Sequence, residues 1–294
     1  MAGRMETLFQ RNIGGGVQTV FKHYSFVNKC DMKFSIFVPD KISYDEKFHV
    51  IFFLPGAECN EQHFINRTEF HDNAAASRFI VVCPDTSPRV DLPGDKVKGQ
   101  WVGQGASWYV DATEEPYVKH YQMYTYVSKE LYDIVMKHFP ALPKFGICGH
   151  SMGGAGAICI GLRNPDKFPS ISLFAANCNP ISWGEKTVFP TLLGTNRETW
   201  NNYDGSEVVK RYDGPRREIL ADQGTDDYFY HTTKTLNPEK LVEAAAANPK
   251  GTKVISVNMR MHEGLDHGFN FVKRFWKDHF AHHARNLFLE SQGL

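Results

Sequence analysis

A chain of 294 residues with 42% hydrophobic and 22% charged residues has ordinary globular usage, which excludes disorder and fibrous architecture. Lys plus Arg (33) balance Asp plus Glu (33) with no long basic run, so the electrostatic footprint of a nucleic-acid binder is missing. No stretch of about 18 apolar residues suits a membrane span, and Met1 to Gln10 lacks the apolar centre of a secretion signal; a soluble, cytoplasmic protein with a small-molecule partner is expected.

The length accommodates one large α/β domain over residues 1–294. Six cysteines (Cys30, Cys59, Cys83, Cys148, Cys159, Cys178) lack short paired spacings, and most lie in apolar segments, which fits reduced thiols in a reducing compartment. Neither a His-Glu-x-x-His motif nor zinc-ribbon spacing occurs among the 13 histidines, so no metal and no cofactor is expected.

In chain order, apolar runs at Lys33 to Val38, Val50 to Leu54, Phe79 to Cys83, Phe145 to Cys148, Ile171 to Ala175, Glu218 to Ala221 and Val254 to Met259 read as strands. Helical spacing occupies Tyr124 to Phe139, Gly153 to Arg163, Pro238 to Asn248 and His267 to Leu289, with Asn164-Pro165 and Asn248-Pro249 as stops. The alternation predicts a mostly parallel central sheet with helices on both faces. In such sheets chemistry collects at the carboxyl ends of strands.

Directly after the strand Phe145 to Cys148 stands Gly149-His150-Ser151-Met152-Gly153-Gly154, followed by a helix. Glycines two residues either side of a serine let strand and helix approach in the sharp turn of a nucleophile elbow, as in the α/β-hydrolase fold. Ser151 is the predicted nucleophile, placed at a helix N-terminus where developing negative charge is favoured.

In that fold the acid and then the histidine follow the serine along the chain. Asp222-Gln223-Gly224-Thr225-Asp226-Asp227 follows the strand Glu218 to Ala221, and Glu263-Gly264-Leu265-Asp266-His267-Gly268 follows Val254 to Met259. His267 is the expected general base, with His262 the competing histidine. Asp227 is the expected orienting carboxylate, with Asp226 and Asp222 read as turn-forming or capping alternatives. The oxyanion hole is expected from the amide of Met152 and from that of Ala57, in the loop Pro55-Gly56-Ala57-Glu58-Cys59 after the strand His49 to Leu54. Cys59, two residues beyond Ala57, is expected beside the pocket rather than in the machinery.

These residues resemble the S-formylglutathione hydrolase family, also called esterase D, over nearly the whole chain. Beyond the elbow, the resemblance rests on Phe26 to Phe37 and on the Cys59-Asn60-Glu61-Gln62-His63-Phe64 loop. Further support lies in Tyr109-Val110-Asp111-Ala112-Thr113, Arg163-Asn164-Pro165-Asp166-Lys167, Cys178-Asn179-Pro180, Asp222-Gln223-Gly224 and Asp266-His267. The resemblance implies hydrolysis of S-formylglutathione to formate and glutathione, side activity on small esters, a triad at Ser151, Asp227 and His267, thiol-reagent sensitivity and a homodimer. Pro55, Ala57, Asn60 and Ala155 depart from residues common in the family, which bears on acyl selectivity. For the carboxylates of glutathione, Lys186, Arg67 and Arg89 are the cationic candidates.

Overall fold

The computed structural model describes residues 4–95 and 101–291. A nine-stranded sheet runs through it in the order β1-β2-β3-β5-β4-β6-β7-β8-β9. Its strands are β1 (Glu6–Ile13), β2 (Gly16–Ser25), β3 (Cys30–Pro39), β4 (Phe48–Leu54), β5 (Phe79–Pro84), β6 (Ala141–His150), β7 (Ser170–Phe174), β8 (Arg217–Gly224) and β9 (Ile255–His262). Pairing is antiparallel from β1 through β3 to β5 and parallel across the rest.

Each apolar run predicted as a strand overlaps one, with Ala175 and Val254 lying one residue outside β7 and β9. The two N-terminal strands were not predicted, and for the first its composition explains it. Nearly every side chain of β1 is exposed, so it has no core face and no apolar alternation to detect. It is held instead by pairing with β2 through a turn in which Gly14 (φ 57°) and Gly15 (φ 73°) are both left-handed, as the twist of a two-residue hairpin requires.

Central strands are covered on both faces, and the side-chain alternation shows it. Val50, Phe52 and Leu54 of β4 enter one apolar layer, while Ile51 and Phe53 enter the other. The first layer includes Val127, Leu131 and Ile134 of the helical run 123–138, whose middle, Tyr126–Leu131, is a π-helix, and Ala157, Ile158 and Ile160 of the helix Met152–Arg163. The second takes Trp276 and Phe280 of the C-terminal helix Phe269–Ser291, with Phe64 of the short helix His63–Arg67 and Phe70, which precedes the helix His71–Ala76. Fully burying one such side chain is worth about 1.5–3 kcal/mol, which fixes the sheet and hence the loops at its carboxyl edge.

Candidate active site

Ser151 stands between β6 and the helix Met152–Arg163 with φ 57° and ψ −121°, a conformation that costs a non-glycine residue on the order of 1–3 kcal/mol. The surrounding glycines make it feasible. A Cβ on Gly149 would lie 2.1 Å from the Gly153 carbonyl oxygen, and one on Gly153 would lie 1.9 Å from the Leu54 oxygen. The turn is tied down where the Ser151 amide donates to the Phe174 oxygen (3.1 Å) and its carbonyl accepts from Gly154 and Asn177 (2.9 and 3.0 Å).

Asp227 follows β8 and is fully buried, whereas Asp226 beside it is exposed. One Asp227 oxygen accepts from the Phe229 amide at 2.8 Å and so caps the turn Tyr228–His231; the other lies 2.6 Å from His267 Nδ1 and 3.1 Å from Gln223 Nε2. Burial alone would raise this carboxyl, but the His267 hydrogen bond and charge outweigh it and hold the group below its ordinary value. The structure thus brings Asp227 to His267 and leaves Asp226 outside. An acceptor on Nδ1 places the neutral imidazole's lone pair on Nε2.

Ser151 and His267 line one cavity of about 550 Å³, together with Gly56, Ala57, Cys59 and Met152. Its walls include the aromatic side chains of Trp101, Trp108, Trp183, Tyr228, Phe229 and Phe269. Met152 is the first residue of its helix, where an amide has no intrahelical acceptor. The Ala57 amide donates to nothing among the described residues. Gly56 comes so close that a Cβ there would meet Ser151 Cβ at 3.0 Å.

His150, which the sequence reading left without a role, also lines this cavity. Its Nε2 lies 2.9 Å from the His267 carbonyl oxygen, so Nε2 carries the proton, and its ring centroid is 4.5 Å from that of His267. Nδ1 is buried without a partner among the described residues. Burial and the neighbouring His267 lower its pKa to about 3, so it is neutral at physiological pH.

The two alternatives to Asp227 and His267 meet elsewhere. Asp222 is neither a turn residue nor a cap: it belongs to β8 and is fully buried, accepting from Arg260 (2.6 Å twice), His262 Nε2 (2.8 Å) and His279 Nε2 (2.8 Å). His262 is thereby committed to Asp222. His279 Nδ1 lies 2.8 Å from Ser172 Oγ, so Ser172, His279 and Asp222 form a second serine-histidine-aspartate chain. All three are buried and none lines the cavity. His283 extends the chain between Ser172 (2.9 Å) and Ser170 (2.7 Å). Geometry without access gives a structural network, not a reactive centre.

Cys59 lines the cavity, and burial pushes its thiol up to about 11. Of the cationic candidates, Arg89 is paired with Asp85 at 2.6 Å, Arg67 stacks over Phe269 at 5.6 Å, and Lys186 is exposed; none lines the cavity. No helix among the described residues is long and apolar enough to cross a membrane.

Comparisons with known proteins group the chain with esterases. Residues 25–287 match the Esterase family model. The chain is 42% identical over 280 residues to the S-formylglutathione hydrolase of Bos taurus, covering 93% of this chain and 95% of that protein. The structure of an S-formylglutathione hydrolase from Agrobacterium tumefaciens superposes with a TM-score of 0.87 at 39% identity, covering 96% of this chain and 99% of that one. A substrate-bound fluorophosphonate-binding serine hydrolase of Staphylococcus aureus shares the fold, with a TM-score of 0.68 at 18% identity over 92% of this chain and 99% of that one.

Proposed function

The chain belongs to the S-formylglutathione hydrolase family of esterases, and from that premise we propose that it hydrolyses S-formylglutathione through Ser151, His267 and Asp227. The observation that carries the reading is the 2.6 Å contact between His267 Nδ1 and the buried Asp227, on a loop that brings His267 into the cavity of Ser151.

In the first half-reaction His267 Nε2 takes the Ser151 hydroxyl proton as Oγ forms a bond to the thioester carbonyl carbon. The carbonyl oxygen, now an oxyanion, is held by the amides of Met152 and Ala57. Collapse breaks the carbon–sulfur bond, and the imidazolium returns its proton to the departing sulfur, releasing glutathione as thiol. A water then gives its proton to His267 and its oxygen to the formyl carbon. Collapse of the second intermediate breaks the bond to Ser151 Oγ, which is reprotonated, and formic acid leaves to ionise as formate. Asp227 holds the imidazole tautomer and stabilises the imidazolium throughout.

Aromatic walls also suit small esters, the side activity we assign to the same site. The continuous sheet supports the reading of a single domain, and six unpaired cysteines fit a reducing cytoplasm. We read the active species as a homodimer by family resemblance, which light scattering on purified protein checks directly. For the reaction itself, the test is steady-state kinetics with S-formylglutathione against short-chain aryl esters. A kcat/KM for the thioester no higher than for the esters would replace this reading with that of a general carboxylesterase.

A further inference from the structure

Tyr109-Val110-Asp111-Ala112-Thr113 marks the family resemblance yet supplies no group to the proposed reaction. The segment begins on an unusual backbone: Trp108 (φ 57°) and Tyr109 (φ 51°) are both left-handed, a costly state for bulky side chains. Strong anchors follow. The Val110 oxygen accepts from the Met123 amide (2.9 Å), the Asp111 carboxylate from the Thr125 amide and hydroxyl (2.9 and 2.6 Å), and the Ala112 amide donates to the Tyr121 oxygen (2.8 Å).

This conformation turns the Tyr109 side chain inward, where it is 1% exposed and its hydroxyl donates to the Pro55 carbonyl oxygen at 2.9 Å. Its ring lies so close to the nucleophile helix that a Cβ on Gly156 would fall 2.7 Å from it. Tyr109 therefore bridges the helix behind Ser151 and the loop that presents Ala57. That loop has further ties: the Gly56 oxygen accepts from the Cys59 amide (3.3 Å), the Glu58 amide donates to the Gly105 oxygen (2.9 Å), and the Cys59 oxygen accepts from Thr86 Oγ1 (2.6 Å) and Arg89 (2.7 Å). In a trans peptide the Ala57 N–H points opposite to the Gly56 carbonyl, so its aim is set by how these peptide planes are fixed.

We propose that Tyr109 is a positioning residue of the oxyanion hole, its hydroxyl fixing the Pro55 carbonyl and through it the direction of the Ala57 amide. The proposal rests on the reading of Ala57 as an oxyanion donor. It assigns the strained pair a purpose: a backbone held out of its preferred region to deliver one hydroxyl beneath the loop.

Tyr109→Phe removes that hydroxyl and little else. Loss of a whole oxyanion donor costs about 10²–10³ in kcat, so a misdirected one is expected to lower kcat roughly tenfold with KM within about twofold. A trifluoromethyl ketone, which forms a tetrahedral oxyanion on Ser151, should lose affinity by the same factor while glutathione inhibits unchanged. If Tyr109→Phe fails to fold, Gly156→Ala displaces the ring from the other side and should give the same pattern. Unchanged kcat, or a loss confined to KM with ketone affinity intact, overturns the role of Tyr109. Ser151→Ala, assayed in parallel, tests the nucleophile separately: a kcat within about a hundredfold of wild type there would sink the reaction proposed above instead.

Discussion

His150 Nε2 donates to the carbonyl oxygen of His267 at 2.9 Å, so the residue before the proposed nucleophile holds the backbone of the proposed base. Elbow and base loop come from different strands, and this bond joins them directly. A misplacement of about 1 Å at a reacting centre can cost about a hundredfold.

His150→Gln, which keeps a donor at a similar reach, is expected to retain most of kcat. His150→Phe, which keeps a ring and loses the donor, should lower kcat roughly tenfold with little change in KM. Rates are to be normalised to sites titrated with a fluorophosphonate. Equal kcat per titrated site in the two variants would show that the donor is unimportant.

Replacing Ser151 or His267 by alanine should reduce kcat by about 10⁴-fold or more, and the double variant should lose little further, because triad members act as a unit. Multiplicative losses would separate the two residues.

Asp227 and Asp226 are adjacent in sequence and opposite in environment, one buried against His267 and the other exposed. Asp227→Asn replaces a charged acceptor by an amide and should cost about 10⁴ in kcat. Asp226→Asn should leave kcat within about twofold. Burst kinetics with an aryl ester would reveal the reverse ranking at once.

Much of this was legible because strand ends, glycine spacing and chain order are local signals. Ser151, Met152 and Gly56 follow from the turn geometry that their neighbours permit. What could not be read was non-local. Asp222 looked like a loop residue since nothing nearby shows that Arg260, His262 and His279 converge on it from β9 and the C-terminal helix. The strand β1 was invisible for the opposite reason: it buries no face, and only pairing with β2 makes it a strand.

Buried histidines make the fold acid-labile. Burial lowers His71 and His282 to about 4 and His150, with the charge of His267 adding to it, to about 3, against an ordinary value of 6.5. Above pH 6.5 these groups are neutral folded and unfolded, and stability is intact. As pH falls from 6.5 towards 4 the unfolded chain binds protons that the folded one refuses, so each group can remove up to about 1.4 kcal/mol per pH unit. Urea midpoints at pH 7.5, 6 and 5 should fall progressively; a flat profile would mean that these histidines are protonated in the folded protein.

Cys59 tests the rim of the cavity. It lies two residues past Ala57 and lines the space above Ser151, so a bulky adduct on its sulfur should obstruct substrate. Burial, however, holds the thiol at about 11, and the thiolate is the reactive species. At pH 7 only about one thiol in 10⁴ is ionised, against a few per cent for a free cysteine. N-ethylmaleimide should therefore inactivate slowly at neutral pH and about tenfold faster per pH unit up to pH 9. Substrate or glutathione should protect, and Cys59→Ser should be active and resistant. If Cys59→Ser were inactivated at the wild-type rate, the sensitive thiol would have to be sought among the buried cysteines, each of which can be modified only when the fold opens.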